Sequence, residues 1–585
     1  MVPVGTVSSK RIRRRTACLS ADFDGDALAS PLNPKQTAAM DSTTLVFVNG
    51  HVFDGRSHLP GHGVLVRGSR IVAVVPEREL RPQNLSDAGD LAVVDLAGGL
   101  VLPGFQDAHV HPVQAGVELL GCDLTAFATA KGYLEAVGAY VAAHPDRDWV
   151  FGGGWSMPAF GTAGPRAEDL DRVVGDRPAF LSNRDHHGAW VSSAALRLAG
   201  VDRHTPDPVD GRLERDERGE PTGMLHEGAM GLVERAVPAT SDAEYDAGLR
   251  VAQTYLHSLG VTAWQDAILG DYAGHRDPAP AYLRAVRAGT LTARVRGALW
   301  WQRDQGLDQV DRLVERRAEL TGGRLDAGSV KIMQDGIVES WTAALSQPYR
   351  GVDGRATGNS GLSFLPPEVL SEAVTRLDAE GFQVHVHAIG DRAVTEALDA
   401  FDRARRANGP SSGRHHIAHL QVVAPADRAR FADLDVTANV QALWAVNDEA
   451  MTELSLPFLD PELAGWQYPF GSLASLGARL AAGSDWPVST PDPLAAIHVA
   501  VNRTPAGEDA EPLLPEESLT LEQAFAAYTS GSAYVNHLDD TGLLAGGMRA
   551  DLALLDRDPF AGAREEVADA RVVATYVDGR AVHRS

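Results

Sequence analysis

The sequence predicts an α/β protein built on a TIM-like (β/α)8 barrel, with an insertion after the first strand and a small β-sandwich formed by both termini. Eight short apolar segments recur through the middle of the chain, and most alternate with helix-like segments. Both ends are instead β-prone. "LVFVNGHVFDG" turns at Asn49-Gly50 and "RVVATYVDGRAVHRS" turns at Asp578-Gly579, which are strong hairpin signals.

The eight apolar segments define the predicted barrel strands. They are 101–111, 261–267, 291–301, 329–335, 381–388, 415–421, 435–441 and 479–487. Residues 145–240 lie between the first two strands and are too many for a plain connection, so they are predicted to form an inserted lid or subdomain. The chain is therefore divided into a disordered tail (1–41), an N-terminal part of the sandwich (42–102), the barrel (103–535) and a C-terminal part of the sandwich (536–585).

Composition narrows the class of protein. The 585 residues carry a formal net charge of −25, which argues against binding to nucleic acid or to an anionic membrane. Only two cysteines occur, too few for a disulfide framework or a cysteine-based zinc site. No apolar run approaches a membrane span, and the basic N-terminus lacks the apolar core of a signal peptide. We expect a cytoplasmic enzyme that acts on a small molecule, either as a monomer or as a homodimer.

Histidines lie where the predicted strands end, the side of such a barrel that carries its chemistry. Strand side chains alternate between faces, so His109 and His111 share one face, and His385 and His387 repeat the pattern on the fifth strand. Such pairs can bind a metal or can simply pack in the core. Neutral imidazoles suit zinc and similar divalent ions.

Three further strand ends add to this pattern. In "RHHIAHLQ" strict alternation places His415 and His419 on one face and His416 on the other. Asp485 ends the eighth strand, where it can be a metal ligand or a helix cap. Together with Lys331, these residues exceed what one tetrahedral site needs, and we predict a divalent metal centre.

Lys331 is the unusual residue of the strand "SVKIMQDG". If both faces of the strand are buried, the sequence places a cation in the interior, which requires pairing, neutralisation or a metal. Burial among cations lowers the pKa of an ammonium group, and the neutral amine can add carbon dioxide. The resulting carbamate would be an anionic group able to bridge two cations.

Five motifs, in this order, resemble the metal-dependent amidohydrolase superfamily: "GFQDAHVHP", "SVKIMQDG", "FQVHVHAIGD", "RHHIAHLQ" and "AAGSDWPV". The sequence is most similar to amidohydrolase family 3, the YtcJ-like branch that includes N-substituted formamide deformylases. The resemblance extends from residue 44 to 585. It implies a metal-dependent hydrolase that cleaves a carbon–nitrogen amide bond of an N-acyl or N-formyl amine with metal-activated water.

The resemblance also assigns roles to individual residues. His109 and His111 would hold a first ion, and His387 and His419 a second. Zinc is the expected metal, with one or two ions per chain and Lys331 bridging as its carbamate. Asp485 would bind the first ion and act as general acid and base. His385 and His415 are assigned to supporting or packing positions.

Four residues are predicted to contact substrate. His187 aligns with a family histidine that reaches the substrate pocket, and Trp155, Trp341 and Trp444 would suit an apolar or aryl substituent. Core packing is the alternative for each tryptophan. The sequence departs from the family at Gln441-Ala442, where many relatives have Gln-Pro, and at Ser192, where Asn is usual.

Two other functions remain open at this level. A metal-dependent ester, lactone or carbamate hydrolase would use the same attack on a carbonyl group. A catalytically inactive homologue could bind metal or ligand without turnover, although it would be expected to have lost Asp485 or Lys331.

Overall fold

A computed structural model describes residues 44–80, 91–184, 186–272 and 275–585. The predicted disordered tail, residues 1–41, lies outside the described residues. Of the helices that are described, none is long and apolar enough to cross a lipid bilayer.

The centre of the molecule is a parallel eight-stranded sheet that curls into a nearly closed barrel. Its strands are β1 (Phe105–Val110), β2 (Val261–Leu269), β3 (Arg294–Trp300), β4 (Leu325–Met333), β5 (Gln383–Ala388), β6 (His416–His419), β7 (Thr437–Val440) and β8 (Leu480–Ala482). Each strand pairs in parallel with its sequence neighbour, and Lys331 on β4 lies beside His385 on β5. The predicted α/β barrel is therefore present, with all eight strands overlapping the apolar segments.

The first and last strands meet just beyond their carboxyl ends. The Asp485 N–H donates to the His109 carbonyl over 2.8 Å, and the His111 N–H donates to the Trp486 carbonyl over 2.9 Å. We call these two backbone bonds the seam of the barrel. The seam places the end of β1 directly against the segment that follows β8.

The two longest described helices each bury one apolar face. Asp242–Ser258 begins with a capping box in which Ser241 and Glu244 bond each other's backbone N–H. Asp391–Asn408 buries Ala393, Ala397 and Phe401, which recur at helical spacing. The other helices are Pro112–Leu119, Ala130–Ala143, Ala167–Val174, Ser193–Ala199, Met230–Glu234, Ala279–Ala288, Gln309–Leu320, Pro367–Ala379, Pro425–Arg428, Arg430–Leu434, Pro461–Ala464, Phe470–Ser475, Pro493–Asn502, Leu521–Ala526 and Ser532–Val535.

Strands from both ends of the described chain form two further sheets. The six-stranded sheet has the order Arg580–Arg584, Val572–Val577, Leu552–Leu555, Leu100–Pro103, His51–Phe53 and His58–Pro60. The four-stranded sheet has the order Arg70–Pro76, His62–Arg67, Thr44–Val48 and Leu91–Asp95. Both sheets contribute to one apolar cluster, with Phe47 and Val64 from the smaller sheet and Leu552 and Tyr576 from the larger.

A third six-stranded sheet lies in the segment between β1 and β2. Its order is Gly211–Arg215, Pro221–Glu227, Gly188–Val191, Ala179–Asn183, Val150–Trp155 and Cys122–Asp123. One face has its own core around Tyr133, Trp155 and Trp190. The sheet begins at Cys122, whereas the sequence places the start of the insertion at residue 145. The strand Cys122–Asp123 has only two residues and leaves no periodic signal, so the sequence does not indicate it.

Candidate metal centre

The seam brings His109 of β1 and His111, which follows that strand, against the aspartate that follows β8. Nε2 of His109 lies 3.0 Å from Asp485 Oδ1, and Nε2 of His111 lies 2.9 Å from the same oxygen. The side chains of His109 and Asp485 are 1% and 8% exposed. Two imidazole nitrogens thus converge on one buried carboxylate oxygen.

His387 and His419 extend this group across the barrel mouth. The His419 ring lies 4.7 Å from that of His109 and 4.3 Å from that of His387, between ring centroids. His419 Nδ1 is 4.0 Å from Asp485 Oδ2. Among the described residues, neither His419 Nδ1 nor His111 Nδ1 has a hydrogen-bond partner, although both atoms are buried. Buried polar atoms normally have partners, so this set of nitrogen and oxygen donors fits a divalent cation.

Lys331 lies in the interior, as its position on the strand predicts. Lys331 is part of β4 and is 3% exposed. Burial lowers the pKa of Lys331 to about 8, and the negative charge of Asp485 opposes that shift. A substantial share of the amine is consequently neutral near pH 8.

The protonation states suit metal coordination. Burial lowers the pKa of His109 to about 3 and holds the pKa values of His387 and His419 well below their usual range. Burial alone would raise the pKa of Asp485, but the histidines around it hold that pKa well below its usual range. Neutral imidazoles beside an ionised carboxylate are the ligand forms that a divalent ion requires.

Asp335 is a buried carboxylate next to His387. It was not predicted from the sequence. Its carboxylate accepts the backbone N–H groups of Ala344, Ile389 and Gly390 over 2.8–2.9 Å. One of its oxygens lies 3.6 Å from His387 Nε2. Burial raises the pKa of Asp335 to about 8, while the three N–H groups favour the charged form. The residue joins the segments after β4 and β5 next to His387.

The prediction that His415 and His419 share a strand face is wrong. His415 points outward, where its Nδ1 accepts the Val384 N–H and its ring stacks on Phe401. His416 points inward and contacts His385, with ring centroids 4.0 Å apart. His419 still enters the interior because β6 ends there with φ +83°, and this left-handed turn breaks the alternation.

A family model described as "Amidohydrolase family" matches residues 92–583. The chain belongs to the amidohydrolase family. This confirms the resemblance that the motifs indicated, and the match covers the barrel, the third sheet and part of the two sheets formed by the chain ends.

Individual amidohydrolases are similar over nearly the whole chain. The putative amidohydrolase YtcJ of Bacillus subtilis is 31% identical over 494 residues, which cover 84% of this chain and 90% of that protein. An N-substituted formamide deformylase of Arthrobacter pascens is 29% identical over 563 residues, covering 92% of this chain and 97% of that protein. The crystal structure of an uncharacterized metal-dependent hydrolase from Pyrococcus furiosus superposes with a TM-score of 0.67 at 28% identity, covering 88% and 99% of the two chains.

Two of the four predicted substrate residues lie beside the metal-centre residues of this amidohydrolase. The indole of Trp444 stacks on the His419 ring, 5.2 Å away and 12° from parallel. The His187 ring lies 6.4 Å from the His387 ring, and its Nδ1 is held by both oxygens of Glu227 at 2.9 and 3.0 Å. Glu227 had no predicted role, because its partner lies 40 residues away in sequence.

The other two tryptophans are placed differently. Trp155 is completely buried in the core of the third sheet, where its indole N–H donates to the Leu181 carbonyl. Its contacts are therefore those of a packing residue rather than of a pocket lining. Trp341 is partly buried and stacks on Tyr349 with ring centroids 5.8 Å apart. Its neighbour Thr342 donates to Glu227, so Trp341 lies close to the group that holds His187.

A second His/His/Asp group occurs among the strands from the chain ends. His58 Nε2 lies 2.9 Å from Asp558 Oδ2, and His51 Nδ1 lies 3.9 Å from the same oxygen. The His58 ring also stacks on Phe560, with centroids 4.6 Å apart. Packing and a direct histidine–carboxylate contact account for His58, so the centre at the barrel mouth remains the candidate active site.

Proposed function

We propose that this amidohydrolase cleaves the carbon–nitrogen amide bond of N-acyl or N-formyl amines in a metal-dependent reaction. The observation that carries the proposal is the convergence of His109 and His111 on Asp485 at the carboxyl ends of the barrel strands. The similarity to the Arthrobacter N-substituted formamide deformylase supports the choice of a formyl or other small acyl group.

The chain offers enough ligands for one or two ions, and zinc is the metal that this donor set favours. His109, His111 and Asp485 would hold the first ion, and His387 and His419 the second. A bound ion would polarise the substrate carbonyl and lower the pKa of a water molecule. In its neutral form, Lys331 would add carbon dioxide, forming a nitrogen–carbon bond and releasing one proton, and the carbamate oxygens would join the ligand set.

Asp485 is proposed as the proton carrier. Because its pKa is held well below the usual range, the carboxylate is ionised and can accept a proton from the attacking water. It would then pass this proton to the leaving nitrogen, so that the amine departs neutral. Removing such a general acid–base group costs about 10² to 10⁴ in rate.

His187 and Trp444 are proposed to contact the substrate. Glu227 holds His187 through two short contacts, and Thr342 donates to the same carboxylate over 2.9 Å. This arrangement links the third sheet to the segment after β4. Trp444, stacked on His419, would offer an apolar face to the substituent on the nitrogen.

Amine release from N-formyl, N-acetyl and longer N-acyl amines, measured with zinc-loaded protein, tests the proposal. Asp485→Asn serves as the blank. Asp353→Asn makes the same chemical change at a side chain that is 59% exposed and serves as the matched control. Release by wild type and Asp353→Asn but not by Asp485→Asn would support the proposal. Preferential cleavage of esters, lactones or carbamates would replace it with that hydrolase class, and bound zinc without any turnover would indicate an inactive homologue.

A further inference from the structure

We propose that Gln265 and His385 are positioning residues that fix His109 in the tautomer whose Nε2 carries the lone pair. They would do so through a chain of buried hydrogen bonds below the metal centre. The hydrogen-bond chain stands by itself, and only its consequence, tighter metal binding, rests on the proposed function.

The chain starts at two backbone carbonyl groups. Gln383 Nε2 lies 2.9 Å from the Arg414 carbonyl oxygen and 2.8 Å from that of Val535. A carbonyl oxygen only accepts, so the amide of Gln383 must present its NH2 group to both. Its Oε1 then accepts from Gln265 Nε2 over 3.0 Å. The orientation of the Gln265 amide follows directly.

Gln265 Oε1 in turn assigns protons to two histidines. It lies 2.8 Å from His385 Nδ1 and 3.1 Å from His416 Nε2, and as an acceptor it requires a proton on each nitrogen. The His416 assignment has an independent check on β7. Asn439 Nδ2 donates to the Ala108 carbonyl over 2.9 Å, so the NH2 group is also the part of Asn439 that lies 3.2 Å from His416 Nδ1. Both ends of the chain therefore give the same tautomer for His416.

The hydrogen bonds continue through His385 to the metal centre. His385 is completely buried, and among the described residues no carboxylate contacts its ring, so with its proton on Nδ1 the ring is neutral and its Nε2 is an acceptor. That nitrogen lies 2.9 Å from His109 Nδ1, which must therefore carry the proton of His109. His109 Nε2 is left with a lone pair facing Asp485 Oδ1 at 3.0 Å. A divalent ion between these two atoms would be bound by both.

The residue types in this hydrogen-bond network favour a functional role over a packing role. Gln265, Gln383, His385, His416 and Asn439 are all completely buried in the barrel interior. Aliphatic side chains fill such interiors in most barrels of this class, and a buried polar network is tolerated only when all its members are satisfied. Supporting hydrogen bonds that fix the tautomer of a ligand histidine commonly contribute 10- to 100-fold to metal affinity.

The test uses the metal-free protein with ¹⁵N-labelled histidines. The ¹⁵N shifts distinguish the two neutral tautomers, and the His109 signals are those absent from His109→Asn. His385→Gln keeps an acceptor for His109 Nδ1 and a donor for Gln265, whereas His385→Leu keeps neither. We expect His109 to be protonated on Nδ1 in wild type and in His385→Gln, and to populate both tautomers in His385→Leu.

Zinc affinity, measured by chelator competition, gives the second readout. We expect His385→Leu to bind zinc roughly 10- to 100-fold more weakly, and His385→Gln to stay within a few-fold of wild type. Gln265→Met leaves His385 in place and should shift both readouts in the same direction as His385→Leu. The proposal can therefore still be tested if His385→Leu does not fold. His109 protonated on Nε2 in wild type, or equal behaviour of the Gln and Leu variants, would overturn the proposal. Wild type that shows the expected tautomer but binds no zinc would refute the proposed function alone.

Discussion

Arg294 provides a sharp test of what joins the barrel to the sheet from the chain ends. It is the first residue of β3, and its Nε donates to Asp551 over 3.0 Å while its Nη2 donates to Asp578. The Arg294 side chain is 10% exposed and that of Asp551 is 2% exposed. Asp578 also binds Arg324 and Arg549. Of the three arginines, Arg294 alone contacts the Asp551 carboxylate among the described residues.

The expected cost follows from this unequal sharing. In Arg294→Met the Asp551 carboxylate stays buried and, within the described part of the chain, keeps only the Asp578 N–H as a close donor. Breaking a buried pair in this way costs about 3–5 kcal/mol. In Arg324→Met the affected carboxylate is Asp578, which keeps two arginines. Because the Arg324 side chain is 30% exposed, we expect a loss of less than about 1 kcal/mol.

Urea unfolding at a fixed zinc concentration, followed by tryptophan fluorescence, measures both changes. Adding Asp551→Asn to Arg294→Met should recover most of the loss, since it removes the unpaired buried charge. Equal shifts in the unfolding midpoint for Arg294→Met and Arg324→Met would refute the reasoning. The reasoning would also be refuted if the double variant Arg294→Met/Asp551→Asn were less stable than Arg294→Met alone by as much as an independent second substitution costs.

Three further predictions concern the active site and pH. Glu227→Gln removes a charged partner of His187; we expect kcat/KM for the best acyl amine to fall roughly 10- to 150-fold, and unchanged kinetics would show that the pair has no catalytic role. Removal of bound metal with a chelator should lower the thermal unfolding midpoint of wild type. Zinc at about 1,000 times its Kd should then restore about 4 kcal/mol of unfolding free energy, while Asp485→Asn should respond much less. Burial raises the pKa of Glu234 from 4.5 to about 7, so the stability from its neutral form is present below pH 4.5 and is lost as the pH rises through 7. Glu234→Gln, which mimics that neutral form, should therefore be more stable than wild type at pH 8 by at most about 3 kcal/mol but equally stable at pH 4, as urea midpoints at the two pH values would show.

The barrel and the ligands on regular strands were predictable because both follow local periodicity. His109 and His111 share a face through simple alternation, and Lys331 was identified because a charged residue interrupts an apolar strand. Alternation failed at His416 because the positive φ of His419 is a tertiary effect at a residue other than glycine, with no local signal. A local pattern cannot report such a turn.

The supporting residues of the site were not predictable in the same way. Glu227 and Thr342 meet across 115 positions of sequence, and Gln265 and His385 across 120. Their residue types are common in turns and strands, so only the folded contact shows what they do. Trp155 illustrates the opposite case, because its size suggested a pocket lining while its contacts are those of a core residue.

The seam of the barrel also sets an order of events during synthesis. His111 and Asp485, which meet there, are separated by 374 positions, and Asp485 is followed by another 100 residues of the 585-residue chain. A ribosome-bound chain carrying His109 and His111 therefore needs 374 further residues after His111 before their carboxylate partner exists. Premature termination upstream of residue 485 would therefore leave those histidines without the third donor of the candidate site.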